Sequence, residues 1–147
     1  MMGAFFLSAT RIFLMFLITQ SSLEVKATKV LSKYYKEDVI MIDTFRRDLD
    51  GTLFYLSNSD DKAFIGYARS KYKTFDYLVL LDKDNTIKLV KILVYRENYG
   101  YEITSKRWLA RNFIGISEPR VFVDAISGAT ISVNSLKYSI NYLLKQL

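Results

Sequence analysis

Apolar residues come along this chain in short runs divided by polar turns, and the spacing within each run predicts an element. Residues 4–19 are apolar apart from Arg11 and a few hydroxyls, with an unbroken run at 12–18. A membrane-spanning helix needs about 20 apolar residues, so the run alone is too short to cross. A positive charge, a short apolar run and then small polar residues is the signal-peptide pattern, with cleavage sites after Ser21 or after Ala27. An uncleaved N-terminal anchor and a buried N-terminal helix are the other readings of this segment. The folded domain is expected to start between Ser22 and Lys29, giving residues 1–21 as signal peptide or membrane anchor and 22–147 as one domain.

Residues 24–35 read as a short helix with Val30, Leu31 and Tyr34 on one face, and 39–42 form a brief apolar run. A charged connector at 46–50 leads through Gly51 to a strand at 52–56, a polar turn cluster, and a strand at 63–72. Residues 75–81 (FDYLVLL) and 86–95 (TIKLVKILVY) flank a polar turn and predict a β-hairpin. Their near-continuous apolar content predicts strands central in their sheet. Residues 104–113 read as a helix with Trp108, Leu109 and Phe113 on one side and Lys106, Arg107 and Arg111 on the other. Gly115 is its expected stop, and Pro119 marks the loop beyond. A short extended run at 121–123 then leads to Asp124-Ala125-Ile126-Ser127-Gly128-Ala129-Thr130. A final amphipathic helix follows, carrying Leu136, Ile140, Leu143 and Leu147 at helical spacing. The expected fold is one α+β domain with a mainly antiparallel sheet flanked by helices.

Composition narrows the chemistry. The 147 residues contain no histidine and no cysteine. That excludes His/Cys zinc sites, haem attachment, disulfides, thiol catalysis and a Ser-His triad. Demanding chemistry would have to come from a cofactor. The net charge of +6 is scattered, without a basic block, and describes a basic surface. Nucleic-acid binding has only the pI near 9.4 in its favour.

Residues 127–130 stand between an extended run and a helix, where unpaired backbone N–H groups and the positive end of the helix dipole can cradle an anion. Small residues let a phosphate come close, and hydroxyls add donors. Spacing alone equally describes an ordinary N-cap, with Ser127 or Thr130 bonding an N–H two or three residues on.

The stretch VDAISGATIS, residues 123–132, resembles the flavin-attachment motif of the FMN-binding domain family. This family includes the covalently flavinylated subunits of sodium-pumping quinone reductases and Rnf complexes. Residues 96–115 (RENYGYEITSKRWLARNFIG) resemble a second segment of exported members, in which a strand ends in Glu and a glycine turn precedes Glu-Ile and a helix with Arg-Trp. Two residues depart from that pattern: Tyr101 stands where a glycine is expected, and Val133 where a small hydroxyl residue is common. The resemblance covers roughly residues 63–147.

By this resemblance FMN is the cofactor, joined through its phosphate to Thr130 by a dedicated flavin transferase. Ser127, Gly128 and Ala129 match the residues around the phosphate, and Asp124 an acidic position read by the transferase. Gly100, Glu102, Ile103 and Trp108 belong to the segment expected against the flavin ring. The implied function is an exported electron-transfer flavoprotein domain, on the periplasmic or extracytoplasmic side of a membrane, serving redox partner proteins there. It is an electron carrier rather than a stand-alone enzyme, with membrane association through the N-terminus. The alternative is a flavin-free module of the same fold that binds an anion or a membrane surface.

Overall fold

The protein, represented by a computed structural model, is described for residues 20–119 and 123–147. The signal-peptide or anchor segment and most of the extended run at 121–123 fall outside the described residues. Helix α1 spans Ser22–Tyr35. Strands β1 (Met41–Asp43), β2 (Gly51–Leu56), β3 (Lys62–Arg69), β4 (Thr74–Leu81) and β5 (Ile87–Val94) follow. A 3₁₀ turn at Tyr101–Thr104 precedes α2 (Lys106–Phe113), and α3 (Thr130–Gln146) closes the chain. The strands form one antiparallel meander in chain order.

Helix α1 starts where a capping signal stands. The Ser21 hydroxyl accepts from the Glu24 amide at 3.2 Å, and the helix ends at Lys36 in a left-handed conformation. Cleavage after Ala27 would cut through this helix at a fully buried residue. Of the predicted face, Leu31 is buried and Val30 half-buried, but Tyr34 is exposed. Tyr35 packs inward instead, its hydroxyl bonded to Asp61. Ala27 and Leu31 bury against Phe54, Leu56, Ala63, Ile65, Leu78 and Leu80 on one face of the sheet.

The opposite face holds the larger core. Phe75, Tyr77, Val79 and Leu81 alternate with Leu78 and Leu80 along β4, so one strand feeds both cores. Val133, Leu136, Ile140 and Leu143 of α3 and Trp108, Leu109 and Phe113 of α2 cover this second face. Each such buried side chain contributes roughly 1.5–3 kcal/mol.

The hairpin forms as predicted, but β5 lies at the sheet edge and not in its centre. Its apolar content serves two cores: Ile87, Val90 and Ile92 face one, while Leu89 and Leu93 pack against the other. The segment after α2 shields its first residue, with Ile87 donating to Ile116 O at 2.8 Å and Gly115 donating to Ile87 O at 2.9 Å. Two boundaries also move. Strand β3 stops at Arg69, and residues 70–73 make a turn. Helix α2 starts at Lys106 because the Ser105 hydroxyl accepts from the Trp108 amide at 3.3 Å.

Candidate functional site

The loop before α3 is held at both ends and open in the middle. At its start, the Asp124 amide donates to Asn112 Oδ1 at 2.7 Å, and its carboxylate pairs with Arg111 Nε at 2.9 Å. Asn112 is itself buried and donates to Trp108 O at 2.9 Å, so α2 fixes where the loop begins. Ile126 anchors in the larger core. Ser127 and Gly128 then form an exposed turn, closed by the Ala129 amide donating to Ile126 O at 3.1 Å. Gly128 has φ +80°, and nothing lies within 4 Å of where a Cβ would stand. Ala129 is buried, and Thr130 is exposed as the first residue of α3.

Among the described residues, no side chain caps α3. The first helical bond runs from Val133 N to Ala129 O at 3.0 Å. The amides of Thr130, Ile131 and Ser132 are therefore the donors that helix geometry leaves without an internal partner. The N-cap role open to Ser127 and Thr130 in the sequence is not taken by either. The result is a helix N-terminus whose first two residues, Thr130 and Ile131, are exposed, behind an open glycine turn.

A second wall comes from the segment after β5. Gly100 has φ +74°, and a Cβ there would meet Ala129 Cβ at 2.7 Å and Tyr95 Oη at 3.0 Å. Only glycine permits this close approach. Tyr95 ties the wall to the helix: its hydroxyl donates to Tyr99 O at 3.1 Å and lies 3.3 Å from Ser132 Oγ. The Tyr95 ring also meets Tyr101 edge-on at 5.5 Å between centroids, so Tyr101 stays exposed beside the wall instead of filling it.

Between these parts lies a cleft of about 190 Å³, lined by Lys71, Tyr99 and residues 128–132. Burial raises the Tyr99 pKa, with Glu97 adding to the effect and Lys71 opposing it.

The predicted residues divide accordingly. Gly128, Ala129 and Thr130 line the cleft, Ser127 sits exposed on the adjoining turn, and Gly100 packs on Ala129. Asp124 stands at the start of the loop, bonded to α2. Glu102 is exposed, while the Ile103 side chain is enclosed in the larger core. Trp108 is also in that core, packed on Phe113 at 6.0 Å, and its Nε1 is buried with no acceptor among the described residues. Lys106 and Arg107 are exposed and do not line the cleft.

Lys71, Tyr99 and Ser132 line it without having been expected there. Lys71 carries no local signal, being one of 21 basic residues and placed in a turn. Ser132 sits inside a helix pattern, where its burial against Tyr95 is a matter of tertiary packing.

The chain matches the model of the FMN-binding domain over residues 72–145, which is half of its length. No curated protein matches it. The matched span takes in β4, β5, α2, the whole loop at 124–129 and nearly all of α3, and leaves α1 and β1–β3 outside. The chain belongs to the FMN-binding domain family, and FMN is its cofactor.

Proposed function

We propose that this protein is an extracytoplasmic electron-transfer domain carrying FMN as a phosphoester on Thr130. The observation that carries the reading is the exposed Thr130 hydroxyl at the uncapped N-terminus of α3, beside a glycine turn with open space.

The residues present suit the cofactor's phosphate. Unpaired helix amides and the positive dipole end favour an anion. Gly128 and Ala129 keep bulk away, and Ser127 adds an exposed hydroxyl.

In this reading a flavin transferase matures the protein. Thr130 Oγ would form the P–O ester by displacing the leaving group of an activated FMN donor, a phosphoanhydride whose P–O bond would break and whose other half would leave with the threonine proton, so the chain would gain FMN less one water. Asp124, exposed and held by Arg111 and Asn112, is the acidic position offered to the transferase. Bound FMN supplies the redox chemistry, taking up and releasing electrons. The chain's own residues hold the phosphate, limit access of water and present the cleft to redox partner proteins at the membrane. The absence of histidine and cysteine fits a carrier that needs no side-chain acid, base or nucleophile. The apolar N-terminal segment supports export and membrane association. An ester anchor keeps the cofactor on an open cleft without requiring an enclosing pocket.

The test is intact mass after denaturation, for chain expressed with a flavin transferase, with Thr130→Ala as control. A gain of FMN less water in the parent, absent from Thr130→Ala, is the expected outcome. An unmodified mass beside an active transferase would replace this reading with that of a module binding FMN or another anion without a bond.

A further inference from the structure

Residues 70–73, between β3 and β4, are held by a device that a simple connection does not need. Ser70 donates to Lys73 O from its amide at 2.8 Å, and its hydroxyl oxygen lies 2.6 Å from the same carbonyl, so its single proton serves either that oxygen or Glu97. The Glu97 carboxylate reaches into this turn from beyond β5. It accepts from Ser70 Oγ at 2.7 Å, the Tyr72 amide at 2.8 Å and the Lys73 amide at 3.0 Å. Glu97 is only 4% exposed. Burying a carboxylate is unfavourable unless such bonds surround it.

The β4–β5 turn shows the ordinary solution. There Asp82 closes the turn locally, accepting from the Asp84 and Thr86 amides at 2.8 and 3.0 Å, and no distant carboxylate takes part.

The Glu97 clamp has a geometric consequence. Two residues beyond it Tyr99 lines the cleft, and three beyond it Gly100 packs on Ala129. The turn and the loop before α3 are thus tied to one short segment. The turn places Lys71 in the lining of the same cleft as the first turn of α3. The Lys71 ammonium lies 5.2 Å from the Tyr72 ring centre and has no carboxylate partner among the described residues. Lys71 also stands one residue ahead of the span that matches the FMN-binding domain.

We infer that Lys71 is a cofactor-facing residue: the clamped turn forms a third wall of the cleft and holds the lysine ammonium against the flavin phosphate. The inference rests on the flavin reading above. A lysine suits this task as a compact charge on a flexible stem, able to reach a phosphate without fixed bidentate geometry. The pairing restrains the tethered cofactor and weakens as salt screens it. Glu97 acts through the turn and is a positioning residue.

The test uses full-length chain loaded with flavin, its loading verified by intact mass. Acrylamide quenching and anisotropy of flavin fluorescence are read at low and high salt in parent, Lys71→Gln, Lys71→Arg and Glu97→Gln. Loading is measured for each variant, and fluorescence is read on the loaded protein alone. Lys71→Gln and Glu97→Gln raise the quenching constant roughly twofold to fivefold, the scale of a partly solvated ion pair. Anisotropy falls with it, Lys71→Arg restores both, and salt moves the parent toward Lys71→Gln while leaving that variant unchanged. Fully loaded Lys71→Gln that matches the parent at both salt levels would overturn the inference while the covalent reading stands. If no variant gains the flavin mass, the covalent reading fails, and titration with free FMN and riboflavin decides instead. A salt-sensitive preference for FMN that Lys71→Gln removes then upholds the inference, and equal affinities in the parent overturn it.

Discussion

Helix α1 and helix α3 cover opposite faces of the same sheet, and their ends differ. The first turn of α1 is closed by Ser21, and its last residue hands over to a left-handed Lys36 whose amide bonds Ser32 O. Helix α3 begins at Thr130, after Ala129, with no capping side chain among the described residues, behind two exposed residues and a tight glycine contact. Helix α1 has a capping side chain at its first turn; among the described residues α3 has none. Water can satisfy the open donors of α3, and in the proposed function the flavin phosphate would take its place. The same contrast divides the sequence, because the FMN-binding match covers the α2–α3 side and leaves out α1.

Separating stability from loading is the strongest way to sharpen this comparison. Leu31 is fully buried between α1 and the sheet. Leu31→Ala is expected to lower unfolding free energy in urea by about 2–5 kcal/mol. Flavin loading of the protein that remains folded should match the parent. Thr130→Ala is expected to do the reverse, abolishing loading while stability stays within about 0.5 kcal/mol, as for an exposed substitution. A Leu31→Ala variant that folds but does not load would join the two faces in function and break the contrast.

Gly100→Ala probes the wall of the cleft. The left-handed backbone alone costs a non-glycine residue about 1–2 kcal/mol. The added Cβ must also displace Ala129, which it would approach to 2.7 Å. Lower stability together with slower loading in a time course by mass is the expected pair of effects. Full loading at the parent rate would mean that the Gly100–Ala129 contact does not shape the attachment loop.

The smallest effect is local and follows pH. Three bonds, that from Ser70 first, hold the Glu97 carboxyl below its ordinary 4.5. A depressed carboxyl contributes stability that is complete above the unfolded value near 4.5 and is lost as pH falls through the folded value. Hydrogen exchange at the Tyr72 and Lys73 amides should therefore gain protection loss below about pH 4.5, beyond the general pH dependence of exchange. Amides of α1 should show no such extra loss, and Glu97→Gln should flatten the response of the turn. Equal acid sensitivity in both places would assign it to global unfolding.

Much of this was legible in the chain. The near-continuous apolar run at 75–81 and the helical spacing of Leu136, Ile140 and Leu143 are local patterns, and each follows from which faces are buried. The Gly-Ala-Thr turn before a helix was visible for the same reason. Other features were not local. The exposure of Tyr34 and the inward turn of Tyr35 depend on where the sheet surface lies beneath α1. The edge position of β5 depends on strand order, which apolar content does not encode when both faces of a strand are covered.

The sequence by itself determined the elements and the apolar pattern of β4, because each rests on neighbours a few residues away, and its resemblance over residues 123–132 named Thr130 as the attachment candidate. Only the tertiary structure decided that α3 starts uncapped, that Gly100 packs on Ala129, and that Glu97, 24 to 27 residues from its partners, clamps the turn bearing Lys71. Such contacts join positions that have no fixed relation along the chain until the sheet register brings them together.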